Sequence, residues 1–225
     1  MTGCSNDSKQ AGRPVPQFDA DTKVIALTFD DGPSGTTPLI LDKLEQYGVV
    51  ASFFVCGNNV GEKTADTVKR AYDMGCEIHN HSKSHRDMTK LTEKQIRREI
   101  TETSQRVEEI TGEPTRFFRP PYIAVNALMY DTVGMPFICG YGSNDWDEKV
   151  SVQDRSDKVL AQIKDGSIIL LHDSEGNTKT AEALDLLIPA LQQEGYTLVT
   201  VSQLFAAKDV TPDTHTMYSD VTRGG

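Results

Sequence analysis

The chain contains no block of Lys and Arg, and its formal charge is −10. A phosphate-binding surface needs clustered positive charge, so nucleic acid is excluded as the main partner. No apolar run approaches the roughly twenty residues of a membrane-spanning helix. Cysteine is scarce, with four in 225 residues and no Cys-x-x-Cys pair. That argues against a thiolate metal cluster or a dithiol redox centre, and Cys56, Cys76 and Cys139 each sit on or beside an apolar stretch where cysteine behaves as a small hydrophobe. Low-complexity tracts and internal repeats are absent. There is a single tryptophan, Trp146. What remains, 37% hydrophobic and 25% charged residues, describes a globular chain long enough for one large domain.

The two ends are polar and unpatterned. Residues 1–22 read as a tail, with Arg13-Pro14-Val15-Pro16 as an extended linker. Residues 208–225 read as a second polar tail, which leaves 23–207 as the folded domain. Inside it, short β-branched or aromatic runs alternate with stretches of helical apolar spacing. Strands are expected at 24–30, 51–56, 76–79, 116–118, 137–139, 167–171 and 196–199. Helices are expected at 36–47, 62–74, 92–111, 126–133, 152–164 and 180–193. Repeated strand–helix units imply an α/β fold with a parallel sheet covered by helices.

In such folds functional residues gather at the carboxyl ends of strands. The chemically loaded residues obey that rule. Asp30 and Asp31 close the first strand and precede Gly32-Pro33, a turn signal. The bend between them lets two adjacent carboxylates face one cavity. His81-Ser82-Lys83-Ser84-His85 follows the third strand, Arg119-Pro120-Pro121-Tyr122 the fourth, and Asn144-Asp145-Trp146 the fifth. His172-Asp173 ends the sixth.

Alone, each has an ordinary explanation: a solvated strand end, polar loop histidines, an exposed ion pair, a core tryptophan. Together they mark one rim. Two histidines four apart share a face if they lie on a helical turn, and two imidazoles with a carboxylate make a ligand set for a divalent metal. His79, two positions earlier and on the strand, reads as a structural or supporting residue. Arg119, pinned by two prolines, suits the role of orienting an ionised carboxylate. His172, at the end of a buried strand, suits general acid or base work.

The ordered set Thr-Phe-Asp-Asp-Gly-Pro, His-Ser-x-x-His, Arg-Pro-Pro-Tyr, Asp-Trp and Leu-Leu-His-Asp resembles the polysaccharide deacetylases, carbohydrate esterase family four, over about residues 24–205. The resemblance implies a distorted (β/α) barrel of about seven parallel strands surrounded by helices. It implies metal ligation by Asp31, His81 and His85, with zinc the usual ion and cobalt or nickel as alternatives. It implies Asp30 as general base held by Arg119, His172 as general acid, and the Tyr122 N–H as an oxyanion donor. Trp146, Leu170, Asp145 and Pro121 would contact substrate. The substrate would be an acetylated polysaccharide or oligosaccharide, with N-acetylglucosamine polymers placed first and O-acetylated xylan second.

Two positions depart from the family pattern. Ile123 stands where many relatives carry Gly. Gly142 stands where many carry an Asp associated with tuning the acid histidine, which opens the question of what tunes His172. A glycan-binding relic without activity is the competing reading, disfavoured by the presence of ligands, base and acid together. A monomer is expected. Thr2-Gly3-Cys4-Ser5 resembles the end of a bacterial lipoprotein signal, so an extracellular or envelope location with a lipid anchor at Cys4 is also an expectation.

Overall fold

The computed structural model describes residues 18–19 and 21–222. Its strands are β1 (Lys23–Asp30), β2 (Ser52–Val55), β3 (Glu77–Asn80), β4 (Phe137–Ile138), β5 (Tyr141–Gly142), β6 (Ile168–His172), β7 (Tyr196–Val199) and β8 (Met217–Tyr218). Its α-helices are α1 (Thr37–Tyr47), α2 (Ala65–Asp73), α3 (Glu93–Thr111), α4 (Ala127–Val133), α5 (Val152–Leu160), α6 (Thr178–Gln193) and α7 (Val201–Ala207).

β1 is the axis. All its residues after Lys23 are buried, as a strand covered on both faces requires. It pairs in parallel with β2 over Thr28–Asp30, with β6 over Ala26–Asp30 and with β7 over Lys23–Ala26. β3 extends the sheet beyond β2, and β5 extends it beyond β6. Parallel bridges Asn80–Phe118 and Phe118–Phe137 carry the surface on from β3 to β4. β8 then pairs with β4, and the Ile168 N–H donates to the Ser219 carbonyl, returning to β6. The ring of contacts closes into a distorted barrel of parallel strands, as the family resemblance implied.

Strand alternation separates two apolar clusters. Ile25, Leu27 and Phe29 join Ile40, Leu41 and Leu44 of α1 and Leu184, Leu187 and Ile188 of α6 in the layer between strands and helices. Val24 and Ala26 join Phe54, Phe117, Ile138, Ile168 and Phe205 in a second cluster. Asp30 shares the parity of Val24 and Ala26. It therefore sits at the end of that inner row, under the carboxyl rim.

Local signals set the helix ends. Gly48 (φ 62) closes α1 and Gly112 (φ 75) closes α3, both left-handed positions suited to glycine. Thr92 and Gln95 form a capping box at the start of α3.

Three features differ from expectation. Residues 116–118 make only bridges at Phe118, because Pro114, Pro120 and Pro121 flank them and cannot donate to a ladder. The domain does not end at 207. Met217–Tyr218 forms β8, the Tyr218 ring meets Phe205 edge-on, the Tyr141 hydroxyl donates to Asp220 at 2.7 Å, and Val221 is buried. The expected C-terminal tail is thus folded at least to Val221. Its few apolar residues fill a seam between β4 and β6 that no local pattern announces. Helix α7 was also not anticipated; it starts at a second capping box, Thr200 with Gln203. Residues 1–17, including Cys4 and the expected tether, and residue 20 lie outside the described residues, while Phe18, inside the expected tail, is half-buried against the cluster of Val24 and Phe205.

Candidate active site

Asp30 ends β1 and is 2% exposed. A buried carboxylate needs a partner, and Arg119 supplies one: its Nη1 lies 2.5 Å from Asp30 Oδ1. Arg119 is itself fully buried and fully held. Its guanidinium donates to the carbonyls of Ile138 (3.3 Å) and Cys139 (2.6 Å) and lies 4.2 Å from the centre of the Phe54 ring. The arginine cannot swing away, so the Asp30 carboxylate is fixed in direction.

Asp31 leaves the strand with φ 78, a left-handed turn that redirects its side chain. The next residue must be glycine, since a Cβ at Gly32 would fall 2.1 Å from the Asp173 carboxylate. Asp31 Oδ1 lies 3.5 Å from His81 Nε2 and 3.3 Å from His85 Nε2. The three ligand atoms lie within 4.8 Å of one another. His81 Nδ1 is 2.7 Å from the Arg119 carbonyl, so that nitrogen carries the proton and Nε2 presents its lone pair. Asp31 Oδ1 is buried with no hydrogen-bond partner. An orphaned buried carboxylate oxygen facing two imidazole nitrogens fits a divalent cation. Burial opposes the charge on Asp31, but the neighbouring histidines outweigh it and hold its pKa below the usual value. For His85, burial comes first and lowers its pKa, with His81 adding to the effect.

The four-residue spacing of His81 and His85 is that of a helical turn, but no helical turn joins them. Residues 81–87 are an irregular loop in which Ser82 (φ 64) and His85 (φ 54) are left-handed. The two rings still meet edge to face, 4.9 Å between centres, through loop geometry rather than helical periodicity.

His172 ends β6 and is the direct neighbour of Asp30 in the strand register. Its Nδ1 lies 2.8 Å from Asp145 Oδ1, and its backbone N–H donates to Asp145 Oδ2 at 2.8 Å. Burial disfavours the charged ring, yet the Asp145 hydrogen bond and the charges of Asp145, Asp30 and Asp31 override it and raise the His172 pKa to about 9. Asp145 therefore answers the question raised by Gly142. It also corrects an expectation: Asp145 is 0% exposed and accepts a further hydrogen bond from Thr180 at 2.8 Å, so it positions His172 and cannot touch a substrate.

A cavity of about 500 Å³ gathers Asp30, Asp31, His81, His85, His172, Pro120, Tyr122, Ile123, Trp146 and Leu170. Trp146 (62% exposed) and Tyr122 are exposed beside it, and the Tyr122 ring packs edge-on against His85 at 4.8 Å. Pro121, expected at the substrate, is buried, and its neighbour Pro120 lines the cavity instead. A second recess of about 390 Å³ shares Asp31 and His85 and continues past Asn58, Asn59 and Lys83.

Two residues of the site had no role assigned from the sequence: Asp173, which entered only as part of the His172-Asp173 strand end, and Glu99. Asp173 accepts the Gly32 N–H (2.9 Å) and the Thr37 hydroxyl (2.6 Å), which ties the Asp31 turn to β6. Burial drives its pKa up to about 7. Glu99 of α3 grips the loop between the two histidines. His79 lies elsewhere, hydrogen-bonded to Glu77 at 3.0 Å and packed against Phe54 and Phe117.

Residues 18–135 match the family model for polysaccharide deacetylase. The chain is 50% identical over 191 residues to a bifunctional xylanase/deacetylase of Pseudobutyrivibrio xylanivorans, covering 85% of this chain and 32% of that protein. It is 37% identical over 188 residues to a peptidoglycan-N-acetylglucosamine deacetylase of Listeria monocytogenes, covering 83% and 40%. The chain thus spans about a third of the length of one of these relatives and two fifths of the other. A family 4 acetyl xylan esterase from Clostridium thermocellum, solved with a cobalt ion, superposes with a TM-score of 0.87 at 39% identity, covering 88% of this chain and 99% of that one. With these likenesses joined to the five motifs along its rim, the chain belongs to the polysaccharide deacetylase family, carbohydrate esterase family four.

Proposed function

We propose that the protein hydrolyses acetyl groups from a polysaccharide, using a divalent metal held by Asp31, His81 and His85. The observation that carries this reading is the meeting, in one cavity, of an arginine-held carboxylate, a carboxylate-held histidine and a three-ligand set with an orphaned carboxylate oxygen. When bound, a divalent ion there supplies Lewis acidity to an acyl oxygen and to a water.

The chain's own residues do the rest. Asp30, aimed by Arg119, takes the proton of the attacking water. The Tyr122 N–H serves the developing oxyanion. His172, protonated at neutral pH, gives its proton to the leaving oxygen or nitrogen. Base and acid must hold opposite protonation states at one pH, and the raised pKa of His172 keeps the acid protonated there. Trp146, Tyr122, Ile123 and Leu170 offer an apolar wall for a sugar face and the acetyl methyl.

O-acetylated xylan is the better supported substrate. It rests on the 50% identity to a protein named bifunctional xylanase/deacetylase; the acetyl xylan esterase at 39% and the peptidoglycan deacetylases at 37–38% stand level. N-acetylglucosamine polymers are the second reading, favoured by a His172 that stays protonated up to about pH 9 and so has a proton to give an amine leaving group. Zinc is the proposed resident ion. An extracellular or envelope location follows from polymeric substrates of this kind, with lipidation at Cys4 as the proposed anchor. Acetate release from acetylated xylan, N-acetylglucosamine oligomers and peptidoglycan, before and after chelation, tests the reading. Release that zinc or cobalt restores is expected, and chelator-resistant release, or none from any substrate, overturns it.

A further inference from the structure

The two histidine ligands are not held alike. The His81 ring is locked by its own hydrogen bond to the Arg119 carbonyl. Among the described residues the His85 ring makes no hydrogen bond of that kind; it packs edge-on against the His81 and Tyr122 rings beside Asp31, so its position depends on where the backbone of the loop puts it. That backbone is costly. Two non-glycine residues, Ser82 and His85, take left-handed φ values within four positions, and such residues persist only when their surroundings impose them.

Helix α3 imposes them. Its buried stripe runs Ile96, Glu99, Ile100, Thr103 and Val107, so one carboxylate stands in an otherwise apolar or hydroxyl row. A buried carboxylate is tolerated only when hydrogen bonds replace its water. Glu99 Oε2 accepts the N–H of Lys83 at 2.9 Å and of Ser84 at 2.8 Å, and the Ser84 hydroxyl lies 2.8 Å from Oε1 and 3.0 Å from Oε2. Successive backbone N–H groups converging on one carboxylate make an anion nest inside the protein. The same helix grips the root of the loop: Asn80 Nδ2 donates to the Ile100 carbonyl and the Ser104 hydroxyl, while Asn80 Oδ1 accepts the Ser82 N–H. The Ser82 hydroxyl then accepts the His85 N–H at 3.0 Å.

We infer that Glu99 is a positioning residue for the metal site: it clamps the loop between the two histidine ligands and so sets where His85 presents its nitrogen. Glu99 touches neither ligand ring, and it acts through residues 83 and 84. The inference rests on the metal reading above. A glutamine at this position keeps an oxygen for the two N–H groups and a polar partner for Ser84. An alanine keeps neither.

The test is metal affinity of the full chain, with no substrate present. Metal-free wild type, E99A, E99Q and S84A are titrated with zinc against a chromophoric chelator, and with cobalt by visible absorption. Circular dichroism and melting check the fold. E99A is expected to raise the Kd for zinc by about 10–100-fold, the range seen when residues supporting metal ligands are lost. It should also change the cobalt band. E99Q should stay within about threefold of wild type, and S84A should fall between them. If E99A does not fold, the order S84A weaker than E99Q, which equals wild type, carries the decision. Wild-type affinity and an unchanged cobalt band in folded E99A, or in S84A where E99A does not fold, overturn the inference. Failure of wild type itself to bind zinc or cobalt overturns the metal reading, which separates the two.

Discussion

Two histidines of this protein, His79 buried and His172 half-buried, are each hydrogen-bonded to a carboxylate, yet only one stands where chemistry can happen. His172 meets Asp145 at 2.8 Å and opens on the rim cavity. His79 meets Glu77 at 3.0 Å and lies between Phe54 and Phe117. The pairs differ in what surrounds the ring. His172 adds the charges of Asp30 and Asp31 to that of Asp145, and its pKa rises to about 9. In the other pair the carboxylate moves. Burial opposes its charge, but His79 and the N–H of Ser202 lower the Glu77 pKa to about 2. Like pairs of residues thus serve different ends, and access to a cavity with other reactive groups is what separates them.

The sharpest way to break this comparison is to remove each ring. His172→Ala should lower kcat/KM on amide-linked acetyl groups by about 10²–10⁴, the usual worth of a general acid. On activated esters the loss should be much smaller, because their leaving groups need little protonation. His79→Gln should leave kcat per folded molecule within about twofold on both. Equal losses from H172A on amides and activated esters would remove His172 from the acid role.

The next largest effect is on pH dependence. A His172 pKa raised to about 9 keeps the acid protonated below that value, so activity should decline only as pH rises through about 9. Asp145→Asn removes the main charge behind the shift. Its alkaline limb should move down toward the ordinary histidine value of about 6.5. A limb that stays in place in D145N would show that Asp145 does not tune the acid.

Glu77 should speak through stability alone. Its folded pKa is depressed below the ordinary carboxylate value, so it contributes stability that is present above about pH 4.5 and lost as pH falls through about 2. Glu77→Gln should lower stability at neutral pH by about 1–3 kcal/mol, since a half-buried hydrogen-bonded partner of His79 and Ser202 is altered. It should also flatten that acid limb. Denaturant melts at pH 7 and pH 3 check both, and an unchanged melt at pH 7 would demote the pair to packing.

The smallest expected effect concerns the wall of the cavity. Leu170→Ala should raise KM more than it lowers kcat, with a change of a few-fold, because it trims apolar contact without touching acid, base or ligands. A larger fall in kcat than in affinity would mean that Leu170 also orients the acyl group.

Much of this arrangement was written in the chain itself. Asp30, Asp31, His81, His85, Arg119 and His172 each follow a β-rich run, and strand polarity alone sends such residues to one rim. Apolar periodicity and glycine stops located most helices for the same reason: these signals act between near neighbours. What distance decided was different in kind. Asp145 looks like a substrate contact in sequence, and only the fold, by burying it against His172 from 27 positions away, makes it a tuner. The spacing of His81 and His85 pairs two rings on any helical turn, while the structure reaches the same pairing through a strained loop clamped by Glu99. Residues 208–222 looked like a tail because their apolar residues are few, and they fold because Met217, Tyr218 and Val221 meet an open seam in the barrel. Local sequence sets what a residue prefers within a turn or two; burial and charge partners depend on which distant segments arrive beside it, and that is settled only when the barrel closes.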